Sequence, residues 1–250
     1  MRRNLALCFG VVCSALFSFS ALGQTSLAAD DVLARLRANV TAIEDFDAHM
    51  TVQTYQDGAV KLTQELRLSL LQPDKMRQEY LSPDYLAGNL TIIVGSAMWT
   101  YIAANETWYT KDLSALSAAE QPWLAFRQLL RDVQDELKSY AFTLVGIEDG
   151  AYHLRGVGSG ADAVYGAIEL WVDPETFVPR RRLLYDTDGK LLVDVRFLNI
   201  EKVADGVFVP RRLETYDDAG VLKNVIAYDS VTINQGLDPT LFSVPEEATS

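Results

Sequence analysis

The chain has 250 residues, with 22 Lys and Arg against 34 Asp and Glu, a formal net charge of −12 and 49% hydrophobic residues. That acid excess repels nucleic acid and anionic lipid headgroups alike, while the apolar share at this length is ample for a buried core. Two cysteines (Cys8, Cys13) and two histidines (His49, His153) are poor material for a metal centre or a thiol nucleophile.

The first 29 residues read as a cleaved export signal. Arg2 and Arg3 form a positive start, and the apolar run from Leu5 to Phe19 falls short of the roughly 20 residues that span a bilayer. Ala21-Leu22-Gly23 and Ser26-Leu27-Ala28 both fit the small-x-small rule for the cleaving peptidase. Gly10-Val11-Val12 before Cys13 does not suit a lipidated cysteine. Cleavage removes both cysteines and both early arginines, taking the net charge from −12 to −14. The mature chain, residues 30–250, is expected to be one periplasmic domain with no stable membrane insertion.

Residues 30–45 are expected to form a helix: Asp30 and Asp31 suit its N-terminus, and Val32, Leu33, Leu36, Val40 and Ile43 follow helical spacing. From Phe46 the period becomes two. Phe46, Ala48, Met50 and Val52 alternate with polar residues up to a Gln56-Asp57-Gly58 turn, and Leu62, Leu66, Leu68 and Leu70 mark the returning strand. Pro73 precedes a third strand (75–81), and Gly88 and Gly95 punctuate short strands ending in Trp99-Thr100-Tyr101 and Thr107-Trp108-Tyr109.

Residues 113–137 read as helical; Pro122 suits a helix's first turn, and from there to Leu137 the residues Trp123, Phe126, Leu130, Val133 and Leu137 fall on one side of an amphipathic helix. It either plugs one side of a sheet or forms a movable lid over an apolar cavity. Strands resume after Tyr140 and contain a repeat. Phe177-Val178-Pro179-Arg180-Arg181, Tyr185-Asp186 and Gly189 recur 31 residues later as Phe208-Val209-Pro210-Arg211-Arg212, Tyr216-Asp217 and Gly220. Each copy is a proline-opened hairpin, so the pair makes an antiparallel meander. The Asp-rich segments 186–189 and 217–220 lack the later ligands of a calcium loop and read as turns.

No nucleophile elbow, phosphate-binding loop or dinucleotide fingerprint occurs, and neither histidine lies in a cluster with ligand spacing, so neither catalysis nor a cofactor is expected.

The ordered motifs resemble the outer-membrane lipoprotein-sorting family of LolA/RseB-like proteins over nearly the whole mature length. The resemblance is carried by Ile43, Phe46, Ala48 and Gln53; by Pro73 to Tyr80 with Ser82-Pro83; by Ile93 to Tyr101; by Trp171-Val172-Asp173-Pro174-Glu175-Thr176 with Pro179; and by Asn234, Gly236, Leu237, Asp238, Leu241 and Phe242. It implies a mainly β, α+β fold: an unclosed antiparallel β-barrel or curved sheet, with an N-terminal helix and a helical lid insertion over an apolar concavity.

It also implies a monomeric carrier of lipoprotein acyl chains or other lipid, loaded by an inner-membrane ABC transporter and unloaded to an outer-membrane acceptor. The candidate acyl contacts are Trp99, Tyr101 and Trp108 on strands and Trp123, Phe126 and Leu130 on the inserted helix. Where the family's carrier has a lid-fastening arginine before the third strand's proline, this chain has Gln72; either Arg77 or another residue takes its place, or the lid closes differently. Two other functions stay open. One is an RseB-like envelope-stress regulator that binds lipidated cargo, although those relatives carry a second C-terminal domain and this chain ends soon after Phe242. The other is an envelope enzyme with an unrecognised site.

Overall fold

The computed structural model describes residues 27–115, 136–159 and 163–244. The expected leader (1–29) lies almost wholly outside them, as does most of the amphipathic segment. Of that segment, only the short 3₁₀ turns Leu113–Ala115 and Glu136–Ser139 are described.

One helix, α1 (Ala29–Thr41), opens the described chain and buries Val32, Leu33, Leu36 and Val40, the spacing that its sequence predicts. Asp30 and Asp31 sit in its first turn, where the helix dipole favours acids. The expected end at residue 45 is four residues late, and the reason is tertiary. Asn234, from the far end of the chain, donates to the Ala42 carbonyl (2.8 Å) and accepts from the Glu44 amide (2.7 Å). It thereby supplies the helix end with partners that further helix would otherwise provide.

Among the described residues, thirteen strands follow in one antiparallel sheet. The first half holds β1 (Asp45–Gln56), β2 (Ala59–Leu71), β3 (Lys75–Ser82), β4 (Leu90–Val94), β5 (Ala97–Ile102) and β6 (Thr107–Asp112). The second holds β7 (Tyr140–Glu148), β8 (Ala151–Gly158), β9 (Ala167–Val172), β10 (Pro179–Tyr185), β11 (Leu191–Ala204), β12 (Val207–Tyr216) and β13 (Leu222–Ile233). Each half is a meander of neighbouring hairpins. They meet where β1 pairs with β13, Phe46 opposite Ile233. The sheet runs from β6 to β7 without closing, so it is a curved open sheet and not a barrel.

The duplicated hairpins are β10–β11 and β12–β13, and their turns share one hydrogen-bond pattern. Asp186 Oδ1 accepts from the Asp188 and Lys190 amides, and Asp217 Oδ1 accepts from those of Ala219 and Val221. Both segments are therefore turns, as their composition suggests. Gly189 (φ +79°) and Gly220 (φ +74°) take the left-handed conformation that each turn needs.

Two apolar clusters fill the concave side. One joins Phe46, Met50, Leu66 and Leu68 to Phe197, Leu213, Ile226 and Tyr228. The other packs α1 on Leu154, Ile168, Leu170, Val172 and Leu184. Val193 touches both.

Candidate functional site

A cavity lies between those two clusters. Leu36, Asn39 and Val40 of α1, with Ile43 just beyond its end, form its roof. Its floor is built by inward residues of β1, β2 and β9 to β13, among them Phe46, Leu70, Ile168, Phe197, Leu213 and Ile226. Its empty volume, taken out to its open mouth, is ≈ 1250 Å³. The Phe-Val-Pro element of the repeat contributes twice, through Val178 and Pro179 and through Phe208, Val209 and Pro210. The repeat thus brings two prolines to the same cavity, but only Pro179 opens its strand as expected: β12 already starts at Val207, and Pro210 lies inside it.

Of the lining residues only Asn39, Arg182, Thr215 and Tyr228 bring polar side-chain atoms. Asn39 grips the backbone of Phe208 in both directions: its Nδ2 donates to the carbonyl and its Oδ1 accepts from the amide, each at 2.9 Å. That pair ties the roof to the floor. Tyr228 is 7% exposed and meets Phe46 edge-on at 5.7 Å. Burial pushes its phenol pKa far above the ordinary value. Arg182 is 9% exposed, an unusual depth for a cation on an apolar wall.

The aromatic residues proposed from sequence lie elsewhere. Met98 packs with the core cluster on the concave side, so strand alternation turns Trp99, Tyr101 and Trp108 to the other face. Tyr101 and Trp108 are brought together there, ring centroids 5.2 Å apart, and none of the three is among the cavity-lining residues. Trp99 stands opposite Ile92, and its indole nitrogen is buried with no hydrogen-bond partner among the described residues. Trp123, Phe126 and Leu130 lie outside the described residues. The Gln72 amide donates to the Glu44 carbonyl at 2.9 Å, at the junction of α1 and β1. Arg77 pairs with Glu79 (3.1 Å) and reaches the Leu241 carbonyl (3.4 Å), and so holds the C-terminal 3₁₀ turn Pro239–Phe242.

The residues that do line the cavity were visible in the sequence only as alternating apolar positions. The repeat was the available signal for Phe208-Val209-Pro210, and nothing in the pattern marked Arg182. Both histidines lie outside the cavity lining. His49 is exposed, and His153 stacks on Trp171 at 4.2 Å with Glu148 (3.1 Å) and Glu169 (3.0 Å) against its two ring nitrogens. Among the described residues no group of three or more His, Cys, Asp or Glu side chains is arranged to hold a metal ion.

A family model described as an uncharacterized protein matches residues 73–246. The chain belongs to that family. Among solved structures it is similar to a DUF1329 family protein from Desulfovibrio piger ATCC 29098, with a TM-score of 0.70 and 20% identity over 85% of this chain and 95% of that one. It is similar also to a putative outer membrane lipoprotein-sorting protein domain from Vibrio parahaemolyticus (TM-score 0.64, 16% identity, 85% of this chain and 96% of that one). A LolA superfamily protein from Nitrosomonas europaea gives a TM-score of 0.63 at 17% identity, over 88% of this chain and 99% of that one. The fold is therefore the LolA-like curved sheet, as the ordered motifs imply. A search of curated proteins finds no match.

Proposed function

We propose that this chain is an extracytoplasmic carrier that holds acyl chains in the cavity between α1 and the sheet, and that its cargo is lipoprotein on its way to the outer membrane. The observation that carries the reading is the cavity itself: a partly open, largely apolar space with four polar residues in its lining. Burying a methylene contributes about 0.8 kcal/mol, so a soluble carrier of acyl chains needs a dry concavity of this kind. The LolA-like fold supports the reading, as does the similarity to a domain described as lipoprotein-sorting. Among the described residues no helix is long and apolar enough to cross a membrane. Periplasmic placement rests on the leader read from residues 1–29.

Native mass spectrometry of the protein taken from its own envelope tests the proposal, together with titration of the mature protein with the neutral fluorophore N-phenyl-1-naphthylamine. A co-purifying acyl species and saturable probe binding are expected. Protein that carries no acyl species and binds no probe would refute the carrier reading.

A further inference from the structure

The duplication in the sequence is kept in the structure down to single residue pairs. Arg182 faces Val195 in the β10–β11 hairpin, and the residues 31 positions on, Leu213 and Ile226, face each other in β12–β13. Each hairpin also carries one register shift, after Leu184 in the first and after Thr215 in the second, which are again equivalent positions. All four facing residues line the cavity, as do the next equivalents on the same face, Phe197 and Tyr228. Two copies of one wall thus stand side by side on the cavity.

The roof meets the two copies in matching places. The Arg35 guanidinium lies 4.8 Å over the ring of Phe177, at the head of the first copy. Asn39, one turn further along α1, holds the backbone of Phe208, the equivalent residue of the second. Side chains four apart share one side of a helix, so α1 bridges both walls instead of covering one. Duplication alone would repeat a packed core. Here both copies turn the same positions to one open space, and the space inherits two equivalent halves. Corresponding positions lie two strands apart across the sheet, roughly 10 Å. Leu213 faces Phe197 and not Val195, so the second half is also set two residues, about 7 Å, along the strand.

We infer that the cavity has two chain subsites, one for each copy of the hairpin, and that its ligand is a two-chain amphiphile, a diacylglyceryl group. One chain lies against Val195 and Phe197, the other against Ile226 and Tyr228. Two chains that leave neighbouring carbons of one glycerol reach both subsites by splaying apart. A single chain fills one half and leaves the other to water, which forfeits that half's share of apolar burial. The inference rests on the acyl-binding reading and names the class of ligand for the same cavity.

Two neutral ligands with the same number of acyl carbons test it, by displacement of N-phenyl-1-naphthylamine from the mature protein: dilauroylglycerol, with two chains, and monotetracosanoylglycerol, with one. Dilauroylglycerol is expected to displace the probe at a concentration about tenfold lower, the worth of two more buried methylenes. Native mass spectrometry is expected to count two molecules of monolauroylglycerol on each chain. Val195→Phe and Ile226→Phe, at equivalent positions, should each lower that count to one and erase the preference. A dilauroylglyceryl-cysteinyl peptide and dilauroyl phosphatidylethanolamine then separate lipoprotein from phospholipid as the source of the group, the stronger competitor naming it. Equal competition by the two glycerides in the wild type, or a count of one, would overturn the inference and leave the carrier reading standing. Failure of the probe to bind at all would overturn both. The wild-type comparison decides even if a variant folds poorly.

Discussion

Asp173 shows how one side chain can set a turn and select its neighbours. Its Oδ1 accepts from the amides of Glu175 (2.9 Å) and Thr176 (2.8 Å), and its Oδ2 takes the guanidinium of Arg180, the first arginine of the repeat. Burial works to raise its pKa, but the Thr176 and Glu175 amides and Arg180 together hold it below the usual carboxylate range. A carboxylate depressed in the folded state contributes stability above its unfolded pKa and loses it as pH falls through the folded value. Asp173→Asn is therefore expected to cost about 2 kcal/mol at neutral pH and to flatten the acid side of the stability curve, as read by urea denaturation against pH. Tyr228 works in the opposite direction. With its phenol pKa raised by burial, the folded chain keeps a proton that the unfolded chain releases above about pH 10, so stability falls there by up to about 1.4 kcal/mol per pH unit. In Tyr228→Phe that alkaline slope should be shallower than in the wild type under the same denaturation assay.

At the scale of the element, α1 is held on the sheet by apolar packing, by Asn39 and by the Arg35 guanidinium, 4.8 Å over the Phe177 ring. Its apolar stripe packs on β9 and β10 through the second cluster, but its register over the cavity is fixed by the paired hydrogen bonds between Asn39 and Phe208. Asn39→Ala leaves the Phe208 amide and carbonyl without these partners in a half-buried place. The expected loss is about 1–3 kcal/mol, with faster amide exchange concentrated in α1. A uniform rise in exchange across the sheet would mean that the pair serves global stability instead. The beginning of α1 bears on processing. Leu27 packs against the second cluster, so cleavage after Gly23 preserves that contact and cleavage after Ala28 discards it. N-terminal sequencing of protein from the envelope is expected to read from Gln24, and a start at Met1 would overturn the periplasmic assignment.

For the whole molecule, the decisive feature is that the sheet curves without closing, which leaves space between two core clusters. Filling that space should separate binding from folding. Leu213→Phe adds volume at the floor of the cavity. Its stability is expected to stay within about 1.5 kcal/mol of the wild type, while binding of the naphthylamine probe weakens several-fold in fluorescence titration. Unchanged probe binding would place the probe elsewhere on the molecule.

The strands, their turns and the direction of many side chains could be read from residues alone. Phe46, Ala48 and Met50 alternate and are buried as that period implies, and the Asp-Gly turns of the repeat form where the spacing puts them. Local chemistry decides these features, because a pleat has period two and only certain residues tolerate a left-handed turn. The end of α1 was not legible, since it depends on Asn234, far away in sequence. Nor was the outward placement of Trp99, Tyr101 and Trp108. Ile92 and Ile93 are adjacent on β4 and both fully buried, one facing the core and the other on the side that Arg77 shares with the C-terminal 3₁₀ turn. Where a strand is covered on both faces, alternation says which residues lie together but not which side is the cavity. That choice depends on strand order and register, which come from long-range pairing. A sequence read locally specifies the faces of the strands; only the curvature of the assembled sheet determines which face encloses a space.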